Sequence, residues 1–440
     1  MTTAASVPFR SADIPMPTTL EASGLRLDMI VQLLVKTLHL TGEMSGTEWA
    51  ERLGLAFTAI EGGVETLKAE RLCEIVGGTS LGPLTYKYRI TTLGRERAAI
   101  FLDRNLYVGV APVPLDQYRN YMREFDATAP KRIDRAEVER GFSHLVLSQH
   151  VLDKLGPAVN SGQSLFVYGP PGNGKTVISQ AIRNLLPGDI WIPHAIEVDG
   201  SIIQVFDPIN HDAFEPPQAS QTFEKTNQYD RRWERCRRPL VTVGGEMVLE
   251  ALDLTYNPTS GIYRPSLQLM ANGGVLVIDD FGRQRCSPVA MLNRWVHPLE
   301  SRVDYLVLQS GQKVEVPFLT LPVFATNIKP EELVDEAFLR RIQYKILAQN
   351  PTPQEYARIF EKSCLERGIP YEPAHVTHLL DNVYTRRGIP FRGCHPRDLI
   401  GQAMALGQYL GEPKALTIPL LDAAVETYFI DDAADAQALS

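Results

Sequence analysis

Cysteine is scarce: the 440 residues hold Cys73, Cys236, Cys286, Cys364 and Cys394, and no two of them stand at C-x-x-C spacing. That scatter excludes a disulfide framework and a thiolate metal cluster, and it fits reduced, buried thiols. Long apolar runs are missing too. Nothing approaches the roughly 18 residues needed to cross a bilayer, and the opening MTTAASVPFRSADIPMP has no apolar segment of signal-peptide length. The expectation is a cytoplasmic protein with no membrane insertion. Charge of one sign is not concentrated: 44 basic against 52 acidic residues leave −8, which favours solubility and gives no general affinity for nucleic acid or anionic lipid. Internal repeats and long low-complexity tracts are absent. The nine histidines offer a ligand-like spacing only at His375/His378, which reads as surface.

What is present has the composition of a soluble globular protein, 44% hydrophobic and 22% charged, with room for roughly two to four domains. Residues 1–22 are rich in Thr, Ala, Ser and Pro and read as a flexible lead-in. In residues 23–106, Leu25–Leu40 is an apolar-periodic helix and Ser45 with Glu48 forms a capping box for a second. Phe57–Ile75 reads as a third helix, Leu84–Ile90 as a strand and Thr92–Phe101 as a closing helix. This order resembles a winged-helix module. Gly24–Asn105 carries ten basic and ten acidic residues, and the third helix sets Glu61, Glu65, Glu70 and Glu74 against Lys68 and Arg71. Such a helix repels phosphate, which leaves Lys87 and Arg89 as the one favourable spot. Protein recognition or subunit packing is the expected role, with nucleic acid the less favoured partner.

Residues 107–140, with Pro112, Pro114 and Pro130, read as a linker. An α/β domain follows over 141–350. Asn350-Pro351-Thr352-Pro353 marks the boundary of a helical domain over 351–430, and an acidic, Ala-rich tail occupies 431–440.

Gly169-Pro170-Pro171-Gly172-Asn173-Gly174-Lys175-Thr176 satisfies G-x-x-x-x-G-K-[ST] in full, between an apolar strand (Leu165–Tyr168) and a helix (Val177–Leu185). Glycines let the backbone turn its N–H groups inward around a phosphate. The ligand expected here is a nucleoside triphosphate, ATP, with Lys175 reaching the β- and γ-phosphates and the Thr176 hydroxyl holding Mg²⁺. A second apolar strand, Val275–Ile278, ends in Asp279-Asp280. Ligands of parallel sheets lie off the carboxyl ends of the strands, so Asp279 is expected on the Mg²⁺ side and Asp280 where a general base for the attacking water is wanted.

With these two motifs on one chain, the region 141–430 resembles the AAA+ ATPases: a P-loop α/β core with a helical lid. The resemblance implies further roles. Val323-Phe324-Ala325-Thr326-Asn327 looks like the strand ending in the sensor-1 residue, so Asn327 would orient the attacking water. Asp335-Glu-Ala-Phe-Leu-Arg340-Arg341-Ile342 looks like the segment carrying the arginine finger, and the position before Ile342 favours Arg341 over Arg340. Cys394-His395-Pro396-Arg397 looks like the sensor-2 helix start, with Arg397 on the γ-phosphate. A helix (Met291–Leu299) and a hairpin (Val303–Gln309, Lys313–Phe318, joined at Ser310-Gly311-Gln312) precede the Asn327 strand. Such a hairpin is the mark of the clade that includes MoxR-like ATPases, the most similar group.

The resemblance implies a homo-oligomeric ring, a hexamer, that remodels an unidentified protein substrate. A DNA-directed motor is the alternative. Two departures stand out. Asp280 occupies a position the family usually gives to Glu, which keeps a slowly hydrolysing ATP-binding switch open. The stretch 189–258 exceeds a minimal core; in it Ala195–Phe206 reads as a hairpin turning at Asp199-Gly200, and Tyr229–Arg238 as a basic run on a solvated face, at a subunit contact or, less favoured, against nucleic acid.

Overall fold

The computed structural model describes residues 13–78, 82–129, 132–215, 229–333 and 336–429. The lead-in before Asp13, the tail after Phe429 and Asp335 lie outside the described residues. The chain makes two compact units that alternate along the sequence. One draws on residues 1–132, 186–276 and 284–322, the other on 133–185, 277–283 and 323–440. The consecutive domains expected from sequence are therefore interleaved: most of the stretch 189–322, expected inside the α/β core, joins the N-terminal unit instead.

In the N-terminal unit a short helical turn, Leu20–Ser23, precedes the helix Leu27–Thr41, which buries Met29, Ile30, Leu33, Leu34 and Leu38. Ser45 closes the expected capping box on the helix Gly46–Leu53. Its hydroxyl accepts from the Glu48 amide at 3.2 Å, and its own amide donates to the Glu48 carboxylate at 2.6 Å. The third helix is shorter than expected, Phe57–Ala69. Arg71 takes a left-handed φ of 56°, which turns the chain, and the β-branched pair Ile75-Val76 then sits in a strand, Cys73–Gly77. That strand pairs antiparallel with Lys87–Ile90, which also pairs with Glu43–Ser45. Glu74 thus stands opposite Arg89 in the sheet, not on the helix. Lys87 and Arg89 both bond the Glu43 carboxylate, and Arg89 first, then Lys87, hold it below the usual carboxylate range.

The expected linker is folded. Val113–Pro114 forms a short strand, and Leu115–Thr128 is a helix that buries Tyr118, Met122 and Phe125. Those residues recur at i, i+4 and i+7, a helical stripe that the surrounding charges mask. Arg135–Gly141 is a second helix there, capped by Asp134 and Glu137, and belongs to the other unit. The run Tyr229–Arg238 is not a solvated basic face either. Trp233–Arg237 is a strand paired antiparallel with Asp189–Pro193, and Trp233, Cys236, Arg232 and Arg238 are buried. Arg232 chelates Asp230 and also donates to the Ser23 carbonyl at 2.9 Å and to Gln117 Oε1 at 3.0 Å. Arg235 pairs with the buried Asp189, and Arg238 lies 4.4 Å over the Phe125 ring. The hairpin at Asp199-Gly200 turns as expected, with φ of 46° and 85° and Val198 opposite Ser201. Val303–Val307 and Lys313–Pro317 pair as the second hairpin.

In the other unit, the strand Leu165–Tyr168 runs parallel to Leu321–Thr326 on one side and to Tyr344–Leu347 on the other, and Val275–Ile278 comes next beyond Leu321–Thr326. The central strands Leu165–Tyr168, Leu321–Thr326 and Val275–Ile278 are almost wholly apolar and buried, as sheets covered on both faces require, whereas the flanking strand Tyr344–Leu347 carries Lys345 and is only partly buried. The chain then forms the helices Pro353–Glu366, Pro373–His378, His395–Leu410 and Ile418–Tyr428, packed on Tyr356, Phe360, Leu379, Leu399 and Leu421. His375, expected on the surface, is buried, and His378 bonds Asp422 at 2.6 Å. Among the described residues no helix is long and apolar enough to cross a membrane.

Lys36 is 1% exposed, with Nζ donating to the Asn105 carbonyl at 3.2 Å and to Asn105 Oδ1 at 2.8 Å. Burial lowers its pKa to about 8 from 10.5. The folded state is therefore penalised for the charge at every pH below about 8, and the penalty, on the order of 3 kcal/mol, fades as pH rises from 8 to 10.5. Asn105 Oδ1 keeps the Tyr107 amide as a donor. Lys36→Met should raise Tm at pH 7 and remove the gain in stability that the unsubstituted protein shows between pH 8 and 10, both read by thermal denaturation.

Candidate functional site

Tyr168 ends its strand at a loop that requires glycine at positions 169 and 172. Gly169 has φ 140°, and a Cβ there would stand 2.5 Å from the Ala348 carbonyl oxygen. Gly172 has φ 81°, and a Cβ there would meet Cys394 Sγ at 2.7 Å. The loop feeds the helix Lys175–Ala181, which continues as a tighter 3₁₀ turn over Ile182–Leu185. Lys175 is 8% exposed, and its Nζ donates to the Pro170 carbonyl at 2.9 Å. Burial pushes the Lys175 pKa down; Asp280 and Asp279 pull it back up, and Arg392 adds to the depression.

Thr176 donates its hydroxyl proton to Asp279 Oδ2 at 2.7 Å, while Asp279 Oδ1 accepts from the Asp280 amide at 3.1 Å. Both oxygens of Asp279 are thereby oriented. Asp280 has a left-handed φ of 49°, a region open to Asp and Asn more readily than to longer side chains. Next to it, the Phe281 amide donates to the Ala325 carbonyl at 2.7 Å, and the Phe281 ring packs between Phe166 and Phe324 at 5.8 and 5.0 Å. This anchor fixes where the strand ends. Asn327 Nδ2 stands 3.5 Å from Asp280 Oδ1, the outer limit of a hydrogen bond.

Pro171–Ile178, Asp279, Asp280, Asn327 and Arg397 line one cleft of about 540 Å³, a volume in the usual range for small-molecule sites. Arg397 donates to Asp398 Oδ1 at 2.8 Å, and that bond stabilises its charge. Gly169 and Pro170 form the base of the loop and do not line the cleft. Arg340 and Arg341 do not line it either. Arg340 is exposed, and the Arg341 carbonyl accepts from Ser164 at 3.4 Å beside the buried Ile342.

Sequence reasoning missed several residues of the cleft. Leu145, Val146 and Leu147 form part of its wall, and Ile359, Lys362, Ser363 and Glu366 come from the helix Pro353–Glu366. Cys394, read as part of a helix start, packs against the loop itself. A glycine immediately before it, Gly393, was the one signal of a close approach.

The stretch 352–427 matches a family model described as a domain of unknown function, DUF8689. No curated protein matches the chain. Similar solved structures include a RuvB variant from Thermotoga maritima at TM-score 0.38 and 16% identity, covering 69% of this chain and 75% of that one. The Thermotoga maritima RuvB Holliday junction branch migration motor is similar at TM-score 0.38 and 15% identity, over 69% of this chain and 74% of that one.

His395, beside this cleft, is buried. Its Nδ1 meets the Tyr384 hydroxyl at 3.0 Å, and that hydroxyl meets Tyr356 at 2.9 Å. Burial, aided by Arg392, pushes the His395 pKa down to about 4. The unfolded chain therefore binds a proton near pH 6.5 that the folded one refuses. Stability from this site is complete above 6.5 and is lost as pH falls from 6.5 to about 4, on the order of 3 kcal/mol in all. His395→Gln should flatten the fall of Tm between pH 6.5 and 4.5, measured by thermal melts across that range.

Proposed function

We propose that this protein is an AAA+ ATPase that binds Mg²⁺-ATP in the cleft, assembles as a ring, a hexamer, and couples hydrolysis to remodelling a protein partner. The observation that carries the reading is the glycine loop with Thr176 bonded to Asp279, in one cleft with Lys175, Asp280 and Asn327. Lys175 would exchange the Pro170 carbonyl for phosphate oxygens, which its buried ammonium favours. Thr176 and Asp279 present hard oxygen donors of the kind Mg²⁺ takes, and the ion would neutralise phosphate charge there. Asp280 would accept the proton of the attacking water, with Asn327 orienting that water. Arg397 would meet the γ-phosphate from the helical lid. Arg341 or Arg340 would complete the site of a neighbouring subunit; the exposure of Arg340 makes it the more available of the two.

The module at 23–106 is read as a winged helix that recognises protein. Its spot most favourable for DNA, Lys87 and Arg89, is neutralised by Glu43, which weighs against a DNA-directed motor. The switch reading loses its main motive, because the left-handed backbone at residue 280 favours a short acid over Glu for conformational reasons.

Lys175→Ala should weaken ATP binding by at least about 100-fold, while Asp280→Asn should keep binding and lower kcat by about 100-fold or more. The ATPase rate per subunit should fall on dilution through the assembly range, and the alanine variant of the true finger should lose about 1000-fold at saturating protein. A rate independent of concentration in a demonstrated monomer would sink the shared site. Strong stimulation by DNA with a steep salt dependence would favour the motor instead.

A further inference from the structure

The side chain of Asn173 does not face the cleft alone. Its Oδ1 accepts from the Gly393 amide at 3.1 Å. Its Nδ2 donates to Asn350 Oδ1 at 2.8 Å and stands 3.5 Å from the Ala348 carbonyl oxygen. One residue earlier in the loop, the Gly172 carbonyl accepts from the Cys394 amide at 2.8 Å. The middle of the glycine loop is thus stitched to two points of the C-terminal helical segment, its entry and the start of its helix His395–Leu410. Ala348–Asn350 is where the chain leaves the sheet for that segment, and Gly393–Cys394 is the start of the helix that carries Arg397. Close packing reinforces the stitch, with Cys394 Sγ and the Arg392 stem against Gly172.

We infer that Asn173 is a positioning residue that couples the phosphate loop to the helical segment bearing Arg397, so that loading the loop sets where Arg397 stands. This rests on the nucleotide reading of the cleft. The physical reason is direct. A phosphate that draws the loop's N–H groups inward must move or stiffen Gly172 and Asn173, and their hydrogen bonds end on the backbone three and four residues before Arg397. An amide side chain suits the task because it donates toward residue 350 and accepts from residue 393 at once, which no carboxylate or hydroxyl can do with the same reach.

Two measurements on the full chain test the inference. The first uses no nucleotide: amide hydrogen exchange in the unsubstituted protein, Asn173→Ala, Asn173→Asp and Asn350→Ala. Asn173→Ala should speed exchange at Gly393 about tenfold, with the helix Pro353–Glu366 unchanged as an internal check on folding. Asn173→Asp, which keeps the acceptor, should restore protection at Gly393. Asn350→Ala, which leaves the loop sequence intact, should show a smaller effect of the same sign. The second is a double-mutant cycle in ATPase assays, with ATPγS affinity measured alongside. Asn173→Ala should lower kcat at saturating ATP. In that background Arg397→Ala should cost less than about twofold, against about tenfold in the unsubstituted protein. Unchanged Gly393 exchange in Asn173→Ala, or kcat losses that simply multiply, overturns the coupling. If the unsubstituted protein fails to bind ATPγS, the nucleotide reading falls, and the tie between loop and helix is judged by the exchange data alone.

Discussion

A loop that must point its amides inward cannot hold itself in shape, and the rest of the second unit is arranged around that constraint. The backbone of Gly169 and Gly172 lies at positive φ, where glycine gains nothing from side-chain packing and loses much conformational entropy on ordering. Neighbours supply the order. The Ala348 carbonyl closes against Gly169, and Cys394 closes against Gly172. Thr176, at the first turn of the helix, is tied to Asp279, just past the end of the strand Val275–Ile278. Asp279 is itself held in place because Phe281 is buried between two further aromatic rings. Remove the core under the sheet and the carboxylates lose their register.

In the first unit the same logic applies to charge. Arg232 and Arg238 are taken out of water, and each is surrounded by carbonyls, a carboxylate or an aromatic face. Breaking such a set leaves a buried charge without compensation, which is far more costly than never having had it. These arginines tie together segments distant in sequence: Ser23, Gln117 and residue 232 meet at one guanidinium. A basic run in a sequence is thus a poor guide to a basic surface.

The glycine loop, the strand ending in Asp279-Asp280, the Ser45 cap and the turn at Asp199-Gly200 were legible because each is specified within a few residues by backbone chemistry. Tyr118, Met122 and Phe125 were not, because prolines and charges around them hid a helical stripe. The third helix ends at Ala69 although its apolar periodicity continues through Leu72 into Ile75, and nothing local announces that Arg71 turns left-handed. The grouping of Cys394, Asn350 and Asn173 depends on contacts between residues some 180 to 220 positions apart, which no local pattern encodes. Nor does local pattern reveal that the chain crosses between its two units several times.

That weaving has a consequence for the protein as it is made. The strand Leu165–Tyr168 finds both its sheet partners only in residues 321–326 and 344–347. At a synthesis rate of about 5–20 residues per second, this short apolar strand, with the finished glycine loop on its end, waits roughly ten to thirty seconds for its first neighbour. The interval is long compared with hydrophobic collapse, so the nascent chain carries an unpaired sheet core through much of its own translation. For the cell, the vulnerable form of this protein is the half-made one, and its need for protection from aggregation is greatest before residue 321 has left the ribosome.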